Sequence, residues 1–465
     1  MRYLRPVVIV AIIFSSVGAQ PGLALDSSKK VDCHKDLKKA RELIDDYWSF
    51  LIFKPGYVDL EETFRQLEPL AKGADTPEAC AKVLARFMAK LGDGHSRLQY
   101  YPDLNYSSPL MVLRSQRERL SQVSGQRPQV HVYVIERDTT DEQLMTIPVG
   151  SEILSVDGVK THDLYHDIVQ YVAGSTSQWR DYICDRELLL GPAETEIELV
   201  YREPGGAKKT TAVTRPHPDS LKDIPREVRS LLGWTEEAFS KRLDGGWGYI
   251  RYTSFSRGSV EQTVKLFDQA LDSVADAPGL IIDLRGNGGG YVAAIGKIAG
   301  RFVDEPQTMG FFSRRTPGKR TIYEVWDETT GSVTTKARLL AKPRGKVYNG
   351  PVVLIIDQAC FSACESFAGG MQAFKRALLI GPSTTGGGSG FVAGLELPSG
   401  AIISFSHTVA WLPNGQQVEG HGVGPDILVR ERAADWSVGR DRVLERAIKA
   451  LGQGEAPPLL SRETE

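Results

Sequence analysis

Along the chain, the spacing of apolar residues changes period twice. Leu37, Ala40, Ile44, Trp48 and Leu51 recur at helical spacing, so residues 34–91 predict helices. In TPEACAKVLARFMAKLGDGH (76–95), Thr76 suits an N-cap and Pro77 the first helical position. Val83, Leu84, Phe87, Met88 and Leu91 form the buried stripe, and Gly92 ends it. Asp93, Gly94 and His95 then fall on a turn directly after a rigid helix, where a side chain can be aimed.

Over residues 107–215 the period shortens to that of strands. HVYVIE (131–136) and ETEIELVYR (194–202) alternate, and PVGSEILSVDGV (148–159) reads as a strand with a tight Asp-Gly turn. THDLYHDIVQYV (161–172) is compatible with a helix, and EPGGAKK (203–209) with a hairpin turn. From residue 244 onward, WGYIRY, GLIIDL, PVVLIID and ALLIGP are short buried strands, each followed by glycine, polar residues or a helical pattern. That alternation predicts an α/β core. Residues 302–348, with MGFFSRR and TIYEVW among polar turns, read as an insertion, and DRVLERAIKAL (441–451) as a closing helix.

Composition narrows the class. A chain of 465 residues, 41% hydrophobic and 25% charged, is globular and large enough for two or three compact units. The 56 basic and 58 acidic residues are interspersed, and no basic block points to nucleic acid. MRYLR, then VVIVAIIF, then SSVGA with small residues at Val17 and Ala19 is the pattern of a secretory signal peptide, cleaved after Ala19 or Ala24. Its apolar core falls short of the ~20 residues that span a bilayer. No stable membrane span is therefore expected after cleavage, and the protein reads as exported, periplasmic or secreted. In such a compartment the five cysteines can form disulfides, with at least one left over. Cys33 and Cys80 share the helical region and form the favoured pair, and Cys184 is the spare. Five buried thiols is the competing reading.

Two stretches carry candidate chemistry. GLIIDLRGNGGGYVAA (279–294) runs a buried strand into Gly286, Asn287, Gly288, Gly289 and Gly290, a loop whose uncovered amides suit a phosphate or an oxyanion. It has neither the lysine and hydroxyl of a P-loop nor the spacing of a dinucleotide fingerprint. In CFSACESFAGG (360–370), Ser362 lies on a strand-to-helix turn between Cys360 and Cys364. No basic residue adjoins either thiol, so the serine is the better nucleophile candidate, although a serine in this place taken alone is more often an N-cap than a nucleophile. Among eight histidines, His95 has the setting of a base. The histidines and cysteines lack metal-ligand spacing, so no metal and no cofactor is expected.

Taken together, LGDGHSRL, PVGSEILSVDGV, GLIIDLRGNGGG, VVLIIDQACFSACESFAGG, ALLIGPSTTGGGSG and LPNGQQVEGHGVGPDI resemble, in order, the C-terminal-processing peptidases and the tricorn core, a serine peptidase superfamily. The resemblance implies a multidomain α/β protein. Its parts are a signal peptide (1–24), an N-terminal helical region (29–100), a PDZ-like β-rich domain (105–216), a crotonase/ClpP-like catalytic core (240–452, with the 302–348 insertion) and a polar tail (453–465). In the Ser/Lys variant of that family the serine corresponds to Ser362, but Gly387 stands in the lysine's place and Ala373 in that of its aspartate. In the tricorn-like variant, His95 and Glu419 fit the base and the carboxylate that orients it, while Gly94 stands where some members have a serine.

The resemblance thus implies a Ser362–His95–Glu419 triad, with an oxyanion hole from the Gly288 and Gly289 backbone and the Ala363 N–H. The implied partner is a polypeptide substrate, held as an added strand by the PDZ-like region. Two other readings compete. A non-catalytic protein on the same fold could bind a peptide or a hydrophobic ligand, as in the similar retinoid-carrying eye proteins. Cys360 and Cys364 could instead act as a redox pair, forming a reversible disulfide, with activity lost on thiol alkylation but kept in Ser362→Ala.

Overall fold

Near the N-terminus, helices Cys33–Tyr47, Leu60–Gly73 and Pro77–Lys90 begin on side-chain caps from Asp32, Asp59 and Thr76. Their apolar faces bury Leu37, Ile44, Leu67, Leu84 and Phe87 in one core, and a Cys33–Cys80 disulfide ties the first helix to the third. The computed structural model describes residues 31–53, 58–102, 106–117, 128–217, 238–327, 330–388, 390 and 392–459; the expected signal peptide lies outside them. Among the described residues no helix is long and apolar enough to cross a membrane.

The helical core does not close on itself. Strand Arg97–Tyr100 pairs antiparallel with Ile402–Ser406, which pairs in turn with Val392–Glu396. Ile403 and Phe405 therefore pack into the helical core from the far end of the chain. This pairing fixes the turn 93–96 against a distant segment.

A second layer is a six-stranded antiparallel sheet that includes Met111–Arg117, Val130–Arg137, Glu152–Val156, Glu196–Arg202 and Lys208–Thr214. Asp157 and Gly158, both at positive φ (49° and 77°), make the tight turn from Val156 to Val159 that the Asp-Gly pair predicts. Helices Thr161–Ile168 and Ser177–Glu187 contribute Tyr165, Ile168, Trp179 and Ile183 to its core.

Helix Ser177–Glu187 buries two carboxyls. Burial pushes both Asp185 and Glu187 up to about 8, and neither Glu187 oxygen has a hydrogen-bond partner among the described residues. A buried acid with a raised pKa binds its proton more tightly in the folded chain than in the unfolded one. Its stability contribution is full below the ordinary carboxyl range and is lost as pH rises through about 8. The thermal midpoint should therefore fall between pH 5 and 9, and Glu187→Gln should flatten that fall; calorimetry across the range checks both.

The third layer holds a six-stranded sheet in the order Phe239–Arg242, Gly248–Arg251, Leu280–Asp283, Val352–Ile355, Leu378–Gly381 and Ile427–Leu428. All neighbours after the first pair run parallel. Central strands such as Leu280–Asp283 and Val352–Ile355 are buried throughout, as parallel strands covered on both faces must be. Helices Val260–Asp272, Val292–Ala299 and Ala363–Ala373 lie in the core on one side and Arg442–Gly452 on the other.

Residues 302–348 pack against this layer through a separate three-stranded sheet. Gln307–Ser313 pairs with both Ala337–Ala341 and Val409–Trp411, and Phe302, Met309 and Ala341 are buried in the main core. The tail is likewise partly held: Ala456 is buried, and the Leu459 N–H donates to the Asn349 carbonyl.

Candidate active site

In an open parallel sheet, functional loops gather at the carboxyl ends of the strands. Here Leu280–Asp283 leads into the glycine loop and Val352–Ile355 into the serine turn. The two loops are joined directly, since the Phe361 N–H donates to the Asn287 carbonyl at 3.0 Å. Gly289, at φ 97°, lies against the serine turn. A Cβ there would stand 2.6 Å from the Phe361 oxygen, 2.8 Å from Ser362 Cβ and 2.9 Å from the Ala363 nitrogen. Only glycine fits that approach.

Ser362 is the residue before helix Ala363–Ala373 and adopts φ 57°, ψ −119°. A non-glycine residue in this region is strained and persists only where its surroundings enforce it. Two devices enforce it here. Glu365, fully buried, accepts the Ser362 N–H at 3.0 Å, the backward half of a capping box. The second device is a disulfide between Cys360 and Cys364, with Cα atoms 5.5 Å apart, which brackets the serine. Cys184 stays free and buried. Five buried thiols is thus corrected to two disulfides and one thiol, and the cysteines beside Ser362 are bonded to each other rather than available as thiols.

Glu365 also organises the facing loop. Its carboxylate accepts Thr385 Oγ1–H at 2.5 Å and the N–H groups of Gly387 and Gly388 at 2.7 and 2.9 Å. Burial pushes its carboxyl up to about 8, against the pull of these donors. The S-x-x-E spacing from Ser362 to Glu365 is the sequence signature of this capping box.

His95 is 6% exposed on the turn after helix Pro77–Lys90. Its ring lies 4.7 Å from that of Phe361, the residue before Ser362, and the far face of Phe361 stacks on Trp179 at 3.7 Å. Gly94, Gly386 and Gly388 close around the same phenyl ring, each with no room for a Cβ. Glu419 is fully buried on the turn 418–422. That turn meets the 385–388 loop, with Gly420 N–H donating to the Gly387 carbonyl and Val423 N–H to Thr385 Oγ1. The segments carrying Ser362, His95 and Glu419 thus converge on one locus from three distant parts of the chain.

The amides expected to line this locus differ in availability. Gly289 N–H donates to Asn287 Oδ1 at 2.9 Å, while Gly288 is exposed and Ala363 opens the helix behind the serine. The antiparallel-sheet unit also touches the site. Thr176 Oγ1 donates to the Gly386 carbonyl at 2.5 Å, Ser175 Oγ to that of Gly387 at 3.0 Å, and Gln178 Nε2 to that of Thr385 at 3.0 Å.

Residues 246–429 match the model of Peptidase family S41. Three curated relatives extend the likeness. A putative tricorn protease homolog 2 of Streptomyces coelicolor is 26% identical over 263 residues, 56% of this chain and 20% of its own. The chloroplastic C-terminal processing peptidase of Tetradesmus obliquus is 22% identical over 406 residues, 86% of this chain and 76% of its own. A carboxyl-terminal-processing protease of Picosynechococcus is 27% identical over 219 residues, covering 46% of this chain and 47% of its own. The chain therefore spans a fifth of the first relative, three quarters of the second and about half of the third. Among solved structures, mature CPAF shares the fold with TM-score 0.69 at 18% identity, over 92% of this chain and 99% of that one.

Proposed function

We propose that the chain is an exported serine endopeptidase with Ser362 as nucleophile, His95 as general base and Glu419 as the carboxylate that orients it. The observation that carries this reading is the strained Ser362, held at φ 57° on a strand-to-helix turn against the Gly289 backbone. In the proposed reaction, His95 takes the Ser362 hydroxyl proton as Oγ attacks the scissile carbonyl. It then returns that proton to the leaving amine. Water, activated by the same imidazole, hydrolyses the acyl-enzyme and restores the hydroxyl. The Ala363 and Gly288 N–H groups receive the oxyanion; Gly289 joins them only if its amide leaves Asn287.

The Gly387 position favours a histidine base over a lysine base. It sits at φ 78°, and a Cβ there would come within 2.5 Å of Thr176 Cγ2, so no lysine side chain could start from it. The antiparallel sheet supplies edges at which an extended polypeptide could add as a strand, in the manner of a PDZ domain. Incubation with an unfolded protein, followed by mass spectrometry of new termini, tests the activity. Cleavage absent from Ser362→Ala supports it, and equal cleavage by both proteins rejects it.

The disulfide at the nucleophile carries its own prediction. In the double variant Cys360→Ala/Cys364→Ala the turn loses its covalent brace. Ser362 should then react up to about 10²-fold more slowly with a fluorophosphonate, as expected when a reacting group shifts by ~1 Å. The matched variant Cys33→Ala/Cys80→Ala, remote from the turn, should react at the wild-type rate if folded. Stopped-flow or gel-based labelling compares the two.

A further inference from the structure

The turn that presents His95 is organised by a buried carboxylate outside the proposed triad. Asp93 is fully buried and accepts five hydrogen bonds. They come from Trp48 Nε1 (3.0 Å), His95 N–H (2.9 Å), Ser96 Oγ (2.7 Å), Ser406 N–H (3.1 Å) and Ser406 Oγ (2.9 Å). Two residues along the same strand, Ser404 Oγ donates to the His95 carbonyl at 2.9 Å. The His95 backbone is thus held at its N–H by Asp93 and at its carbonyl by strand Ile402–Ser406, and Ser406 Oγ stands 3.5 Å from His95 Nδ1.

The direction of these bonds determines a protonation state. An ionised carboxylate only accepts, and a serine hydroxyl has one proton to give. Ser406 gives it to Asp93 Oδ1, so only lone pairs remain to face the imidazole. A neutral histidine beside such an oxygen is best satisfied with its proton on Nδ1, which leaves the Nε2 lone pair as the base. We infer that Ser406, locked by Asp93, is a positioning residue for the general base, selecting the Nδ1–H tautomer of His95 and steadying the imidazolium formed when Nε2 takes the serine proton. The 3.5 Å contact is long, as catalytic contacts in a resting protein often are, and shortens once the ring is charged.

This rests on His95 being the base, and it deepens that reading. Nδ1 is the nitrogen that a triad normally reserves for its carboxylate. Here a hydroxyl backed by Asp93 reaches it, so the Glu419 carboxylate does not bear the orienting role alone. The arrangement also offers a physical partner for a turn that has Gly94, with no side chain, directly before the histidine.

Two measurements on the purified protein test the inference. In ¹⁵N-histidine-labelled protein, with the His95 signals assigned by their loss in His95→Gln, the nitrogen shifts should report Nδ1–H and a bare Nε2 at neutral pH. Labelling kinetics with a fluorophosphonate should show Ser406→Ala lowering the inactivation rate constant about 10- to 100-fold, part of the ~10²–10⁴-fold that a positioned base supplies. The half-saturating probe concentration should stay unchanged. Ser406→Thr, which keeps the hydroxyl on a strand position that suits a β-branched residue, should recover most of the rate.

A wild-type His95 protonated on Nε2 overturns the inference, whatever the variants do. So does a folded Ser406→Ala protein that labels at the wild-type rate. A wild type that shows the Nδ1–H tautomer but does not label at Ser362 instead contradicts the proposed function, and with it any role of Ser406 toward a base, while upholding the tautomer itself.

Discussion

Ser362→Ala should leave a folded protein with no acyl-enzyme and no detectable turnover, because the only change at the strained turn is loss of the hydroxyl. His95→Ala should cost about 10²–10⁴-fold, the usual contribution of a positioned general base. Glu419→Gln should be milder, because the imidazole keeps its contact with Ser406. A third substitution separates strain from chemistry. Ser362 stands at φ 57°, ψ −119°, a conformation that costs a residue with a Cβ about 1–3 kcal/mol. Ser362→Gly should therefore be as inactive as Ser362→Ala yet melt at a higher temperature. Equal stability of the two variants would mean that the turn holds no such strain.

The second large effect is expected at Gly289→Ala. The added methyl would lie 2.6 to 2.9 Å from backbone atoms of Phe361 and Ala363 and from Ser362 Cβ, at φ 97°. The Gly289 carbonyl accepts the Phe255 N–H at 2.8 Å, and its own N–H is tied to Asn287, so the loop cannot easily give way. The serine turn must move instead, and a displacement of ~1 Å at a reacting group can cost about 10²-fold. Gly288→Ala is the control, since a Cβ there meets nothing within 4 Å. Comparing fluorophosphonate labelling rates of the two folded variants checks the contrast; equal losses would show that the approach of Gly289 to the turn is unimportant.

Local signals in the sequence account for much of this arrangement. The Thr76 cap, the Pro77 start and the apolar stripe through Leu91 predict the helix that aims His95, and the Asp157–Gly158 pair predicts its hairpin turn. The glycine run and the serine stretch, each after a buried strand, likewise fall where strand ends open in an α/β sheet. These features are short-range and repeat the same period or turn chemistry wherever they occur.

What the sequence did not disclose depends on pairing between distant segments. Arg97–Tyr100 meets Ile402–Ser406 across some three hundred positions, and no local period announces that register. The roles of Asp93 and Ser406 depend on it, so both read as ordinary polar residues until the strands are paired. The same holds for residues 302–348, where Gln307–Ser313 pairs with the distant Val409–Trp411 as well as with Ala337–Ala341. Cys360 and Cys364 were legible as neighbours of Ser362, but their bond follows from the tight turn at Ser362 that leads into helix Ala363–Ala373.

In the proposed site, Ser362 is activated by His95. The most direct test of this activation is fluorophosphonate labelling of the purified protein, with the modified residue located by mass spectrometry in the wild type, Ser362→Ala and His95→Ala. A single adduct is expected on Ser362, absent from Ser362→Ala and slowed about 10²-fold or more in His95→Ala. Labelling of Ser362 at an undiminished rate in a folded His95→Ala protein, or no labelling of the folded wild type, would contradict it.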